Sequence, residues 1–140
     1  MKLKIISFTG VLLLMLIVYS CQSDESIEFK RYYSAGSIVY QSHCQNCHGA
    51  KGEGLSALIP PLTDTIYIKN NKNTLACAVK YGIKGNLTIA GRSFNSEMPA
   101  SDLTPIEIAQ VLTYVANSFG NKVRLISGDM IESDLAKCSH

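Results

Sequence analysis

Apolar positions fall into three regimes along the chain. A dense run from Val11 to Val18 follows Lys2 and Lys4. A polar stretch reaches from Gln22 to about Lys30, and beyond it apolar residues recur at helical spacing between glycine- and proline-marked breaks. The strongest helical stripe lies over Pro105–Phe119, where Ile108, Val111, Leu112, Val115 and Phe119 share one face with Tyr114 beside it. Thr104 is the N-cap, Pro105 takes the first helical position, Glu107 completes a capping box and Gly120 ends the helix. A first helix is predicted from about Ser34 to Gln45, with Ser34 as N-cap and Val39 and Tyr40 as apolar surface. Gly36 inside it costs about 1 kcal/mol relative to alanine, which makes sense if another helix crosses closely there. A middle helix is predicted from Asn73 or Thr74 to Tyr81, with Leu75, Ala78 and Val79 on its apolar face and Gly82 as its stop. A short helix from about Asp129 to Lys137, with Ile131 and Leu135 four apart, closes the chain. The segments between these, above all Gly82 to Asn95, read as irregular.

The leading segment changes the picture of the whole. Residues 1–20 read as a secretory signal, because the apolar stretch from Ile5 to Tyr19 is broken by Ser7, Thr9 and Gly10 and is short for a membrane span. Val18-Tyr19-Ser20-Cys21 resembles a bacterial lipoprotein box, which implies cleavage before Cys21, a lipid thioether on its sulfur and stable anchoring by several acyl chains. Residues 21–31 are then a lipidated N-terminus and tether, allowing a stand-off of at most ~40 Å from a membrane. Asp24, Glu25 and Glu28 in it are either a sorting signal or a solvated linker. Of 140 residues, 13 are basic and 11 acidic; removing Lys2 and Lys4 with the leader leaves 11 against 11. A formally neutral domain speaks against nucleic acid as a partner.

The chemistry concentrates at Cys44-Gln45-Asn46-Cys47-His48. C-x-x-C-H is the attachment pattern of a c-type haem: two thiols one helical turn apart form thioethers with neighbouring vinyl groups, and the adjacent histidine ligates the iron. A dithiol redox motif needs no following histidine and belongs in a βαβ pattern, and a structural zinc site needs a second ligand pair that Cys77 and Cys138 do not offer. Gly49-Ala50-Lys51-Gly52-Glu53-Gly54 lacks the strand and the Lys-Ser/Thr of a phosphate cradle, and reads as a sharp turn using positive φ. In Leu58-Ile59-Pro60-Pro61-Leu62 a carbonyl of Pro60 or Pro61 is positioned to accept the hydrogen bond of the second ring nitrogen of His48. The alternative for that segment is a rigid extended turn. Given a haem, Met98, stiffened by Pro99, is the favoured sixth ligand rather than core filler. His43 and His140 read as exposed polar residues.

In this order the pieces resemble a class I monohaem cytochrome c over residues 32–126, and the run Leu112 to Asn121 is similar to the final helix of small cytochromes associated with oxidases and dehydrogenases. The resemblance implies an all-α, cytochrome c-like fold with the first and last helices crossing, Gly36 and Tyr40 against Val111 and Tyr114, around one covalent haem c. Residues 127–140 are then a tail. Cys77 and Cys138 are extra to the pattern; in an oxidising compartment they form a disulfide, or else stay as separate thiols. With His48 and Met98 both on the iron, the implied function is one-electron transfer and not catalysis, between partners of a respiratory chain or dehydrogenase, facing the periplasm or cell exterior. One alternative is the haem subunit through which electrons enter a larger oxidoreductase. A ligand-binding haem sensor or enzyme is the other, although nothing in the sequence supplies a distal general acid.

Overall fold

The computed structural model describes Gly10, Val11, Met15 and residues 27–139. The Val18–Cys21 box, most of the leader and His140 lie outside the described residues. The chain divides into two units, Met1–Arg31 and Tyr32–His140. In the first, residues 27–31 are helical where the sequence predicted a tether. No helix among the described residues is long and apolar enough to cross a membrane.

The second unit is helix-dominated. Its elements are α1 (32–43), α2 (Gln45–His48), α3 (Thr65–Asn70), α4 (Leu75–Tyr81), a hairpin of β1 (Leu87–Ile89) and β2 (Arg92–Phe94), α5 (Pro105–Val115) and α6 (Gly128–Leu135). Helix α5 is the centre, with Ile108, Val111, Leu112 and Val115 all buried. Its start follows from the sequence: Glu107 N donates to Thr104 Oγ1 at 3.4 Å and Thr104 N donates to Glu107 Oε2 at 2.8 Å, closing the capping box around Pro105. The helix ends four residues before the predicted Phe119. Asn117 explains this, since its amide competes for backbone groups. Its Nδ2 donates to the carbonyls of Thr113 and Arg124, and its Oδ1 accepts from the N–H groups of Val123 and Arg124.

Helix α1 crosses α5 where the sequence placed the close approach. Ser34 lies inside the helix rather than capping it. A methyl group on Gly36 would run into the carbonyl of Gln110 and come within 2.9 Å of Tyr114 Cβ. Gly36 therefore lies against Gln110 and Tyr114, and Val111, the other expected partner, is buried on α5 and lines the interior cavity. Below the crossing, the buried Tyr40 ring lies 5.4 Å from both Tyr114 and Phe119 in tilted geometry. Because the obstacle at Gly36 is backbone, Gly36→Ala is expected to cost about 3 kcal/mol, the upper end for an overpacked site. Urea unfolding would measure it, and an unchanged midpoint would refute the close crossing.

The tail is not an appendage. Thr113, fully buried on α5, donates its hydroxyl to the Ile126 carbonyl at 3.1 Å and accepts from Ile126 N at 3.0 Å. Ser127 caps α6 by accepting from Met130 N, and Ile131 is completely buried. A disulfide joins Cys77 of α4 to Cys138 just after α6. The folded unit thus runs through residue 139 rather than stopping at 126.

Two elements were not expected. Asp64 caps α3 by accepting from Tyr67 N at 2.8 Å. The hairpin pairs Leu87 with Phe94 and Ile89 with Arg92 across Ala90-Gly91, both at positive φ. Such turns are usually Asn-Gly or Asp-Gly, so the alanine concealed the signal.

Candidate haem site

An apolar cavity opens between the CxxCH turn, the proline segment, α3, α4, the hairpin, the Met98 segment and α5. Its empty space, open solvent at the mouth included, is about 1140 Å³. Cys44, Cys47, His48 and Met98 all line it.

The attachment turn continues from α1. Cys44 N donates to Tyr40 O and His48 N to Cys44 O, both at 2.9 Å, so Cys44 as the N-cap of α2, with Cys47 and His48 inside it, sets the two thiols and the imidazole on one helical turn. Neither thiol is in a disulfide; Cys44 is half-buried and Cys47 exposed. Burial, with a smaller contribution from Cys47, pushes the Cys44 thiol up to about 11.

His48 is oriented from behind. Its Nδ1 lies 3.2 Å from the Pro60 carbonyl oxygen. A carbonyl only accepts, so Nδ1 carries the proton and Nε2 keeps its lone pair. Burial holds the imidazole below its usual range, against the opposing effect of the Pro60 bond, and so keeps the ring neutral and able to ligate. The accepting carbonyl is that of Pro60, a choice the sequence left open between two prolines. Gly54 allows the approach: at φ +71°, a side chain there would sit 2.9 Å from the Pro60 oxygen.

Met98 is fixed by its backbone. It exchanges two hydrogen bonds with Ile83, each 2.9 Å. Gly82, at φ +76°, leaves room for the Met98 carbonyl. Downstream, Ser101 Oγ donates to Val79 O at 2.8 Å and Lys80 Nζ to Leu103 O at 2.9 Å, so the segment after Met98 is laced to the end of α4. The remaining wall comes from residues the sequence did not single out: Tyr67 and Ile68 of α3, and Leu87, Ile89 and Phe94 of the hairpin. Alternation of Leu87 and Ile89 was the available signal.

Pro61 also lines the cavity, whereas Cys77 and Cys138 do not. His43 is exposed at the end of α1. Two thiols, a neutral imidazole with one free nitrogen and a thioether around an apolar cavity form the donor set a c-type haem requires, so the residues present fit that group.

The cytochrome c family model matches residues 33–118. The chain belongs to the cytochrome c family. The cytochrome therefore carries covalent haem c and is an electron carrier. It is also 28% identical, over 102 residues, to the fructose dehydrogenase cytochrome subunit of Gluconobacter japonicus. That alignment covers 69% of this cytochrome and 21% of the relative, so the cytochrome spans about a fifth of the length of the curated relative it matches.

Proposed function

We propose that Cys44 and Cys47 hold the haem as thioethers, that His48 and Met98 are its axial ligands, and that the protein passes single electrons between a dehydrogenase and a respiratory acceptor. The observation that carries this reading is the convergence of all four side chains on one apolar cavity, with His48 Nδ1 already committed to Pro60. When bound, the haem supplies reversible one-electron exchange at its iron. The protein's share is to keep two ligands in position, so that little rearranges on electron transfer, and to keep water from the macrocycle. The name of the Gluconobacter relative favours a dehydrogenase as electron donor. Export, and anchoring through a lipid on Cys21, follow from the leader and its Val18-Tyr19-Ser20-Cys21 box.

Both parts have direct tests. A potentiometric titration of purified protein is expected to follow a one-electron curve, and the ferrous spectrum to be unmoved by carbon monoxide. A spectrum that shifts with carbon monoxide would favour a ligand-binding sensor instead. For the anchor, Cys21→Ser is expected to move the protein from the membrane to the soluble fraction; retention in the membrane would refute lipidation at that residue.

A further inference from the structure

The turn after α5 contains a buried amide with no part in the account so far. Asn121 is 3% exposed. Its Nδ2 donates to the Leu62 carbonyl at 2.9 Å and to the Val115 carbonyl at 3.1 Å. The amide orientation is fixed by these partners, because the flipped form would set Oδ1 against two carbonyl oxygens. Among the described residues, Oδ1 accepts no hydrogen bond. All of the side chain's bonding therefore runs through one nitrogen, which ties the end of the central helix to the segment behind His48.

That segment is suited to transmit position. Leu62 is separated from Pro60 only by Pro61, and both prolines have φ locked near −65°. The locked φ of Pro61 leaves only its ψ and the two torsions of Leu62 between the bonded Leu62 carbonyl and the Pro60–Pro61 peptide, so a displacement at Leu62 is passed in part to the Pro60 carbonyl. Leu62 N donates to Gly52 O at 2.7 Å, and the Phe119 ring packs over Gly52 from the same turn as Asn121. The turn thus grips the proximal loop at two points, and of these only the Asn121 bond is made to the proline segment whose Pro60 carbonyl faces His48.

We propose that Asn121 is a positioning residue for His48: by holding Leu62 it sets the Pro60 carbonyl against the ring Nδ1–H, and through that hydrogen bond the donor strength of the imidazole. This rests on His48 being an axial ligand. A stronger Nδ1–H bond makes the imidazole a better donor and favours the ferric state. Loosening Leu62 weakens that bond and favours the ferrous state.

The test uses the holoprotein in three variants. Asn121→Leu keeps the bulk and removes both donors, Asn121→Ser keeps one donor, and Asn117→Ala breaks the same turn without touching the proline segment. Wild type is first checked for low-spin iron with a sulfur ligand; its absence overturns the ligation reading itself, before any variant is compared. With that signature present, Asn121→Leu is expected to raise the ferrous-to-ferric ratio at fixed solution potential by roughly threefold or more, where tenfold corresponds to about 59 mV for one electron. Asn121→Ser shifts in the same direction by less, and carries the test if the leucine variant does not accumulate. Asn117→Ala loses stability at unchanged potential. If the Asn121 variants lose stability while their potentials stay at the wild-type value, the residue is only structural and the proposal fails.

Discussion

Met98→Ala is expected to lower the midpoint potential by a few tenths of a volt, out of the roughly 0.8 V range that axial ligation commands. A thioether favours the ferrous state, so removing it stabilises the ferric one and the sign is downward. The structure gives a reason to expect this without unfolding. Met98 is anchored by two main-chain hydrogen bonds to Ile83, and its segment is laced to α4 through Ser101 and Lys80. None of these bonds uses the methionine side chain. The variant should therefore fold, retain covalent haem and gain an open coordination position, seen as a new response to carbon monoxide. Redox titration of the variant beside wild type measures the shift. A potential unchanged within a few hundredths of a volt would mean that Met98 is core filler.

The second large effect concerns stability. Replacing Cys77 and Cys138 together by serine is expected to destabilise the domain by about 4 kcal/mol. The two residues are 61 apart in sequence, and closing a loop of that length removes about this much free energy from the unfolded chain in the chain-entropy account. For a domain of this size that is a fall of roughly 15–20 °C in melting temperature. The native site should be little changed, since Thr113 still bonds Ile126 at both ends and Ile131 stays buried on the core. The expectation is thus a lower melting temperature with an unaltered visible spectrum. Loss of the native spectrum at room temperature would show instead that the disulfide holds α4, and with it the cavity wall, in place.

Much of the site is legible in the sequence because its chemistry is local. Cys44, Cys47 and His48 sit on one turn, so their spacing is their geometry. Met98 is distant, but thioethers are scarce and only one stands in a proline-stiffened loop. Helix α5 was readable from its capping box and stripe, although Asn117 ended it early by taking backbone groups that a longer helix would have used. What stayed hidden depends on tertiary packing. The hairpin is three residues a side with Ala90-Gly91 at its turn, too short and too atypical to announce itself, yet Ile89 and Phe94 close the cavity. The tail read as no more than a short helix because Ile131 and Leu135 are its only apolar pair at helical spacing. Its docking rests on a threonine hydroxyl thirteen residues upstream, a pairing no periodicity encodes. Asn121 is similar: an amide just past a helix reads as a turn residue until the two carbonyls it binds are seen.

The absorption spectrum of the ferric holoprotein bears most directly on the central reading, that this motif carries a closed, hexacoordinate haem. His48 and Met98 together predict a low-spin spectrum with the weak red band of sulfur-to-iron charge transfer, unmoved by carbon monoxide in the ferrous state. A high-spin ferric spectrum without that band, shifting on addition of cyanide or, once reduced, carbon monoxide, would contradict it.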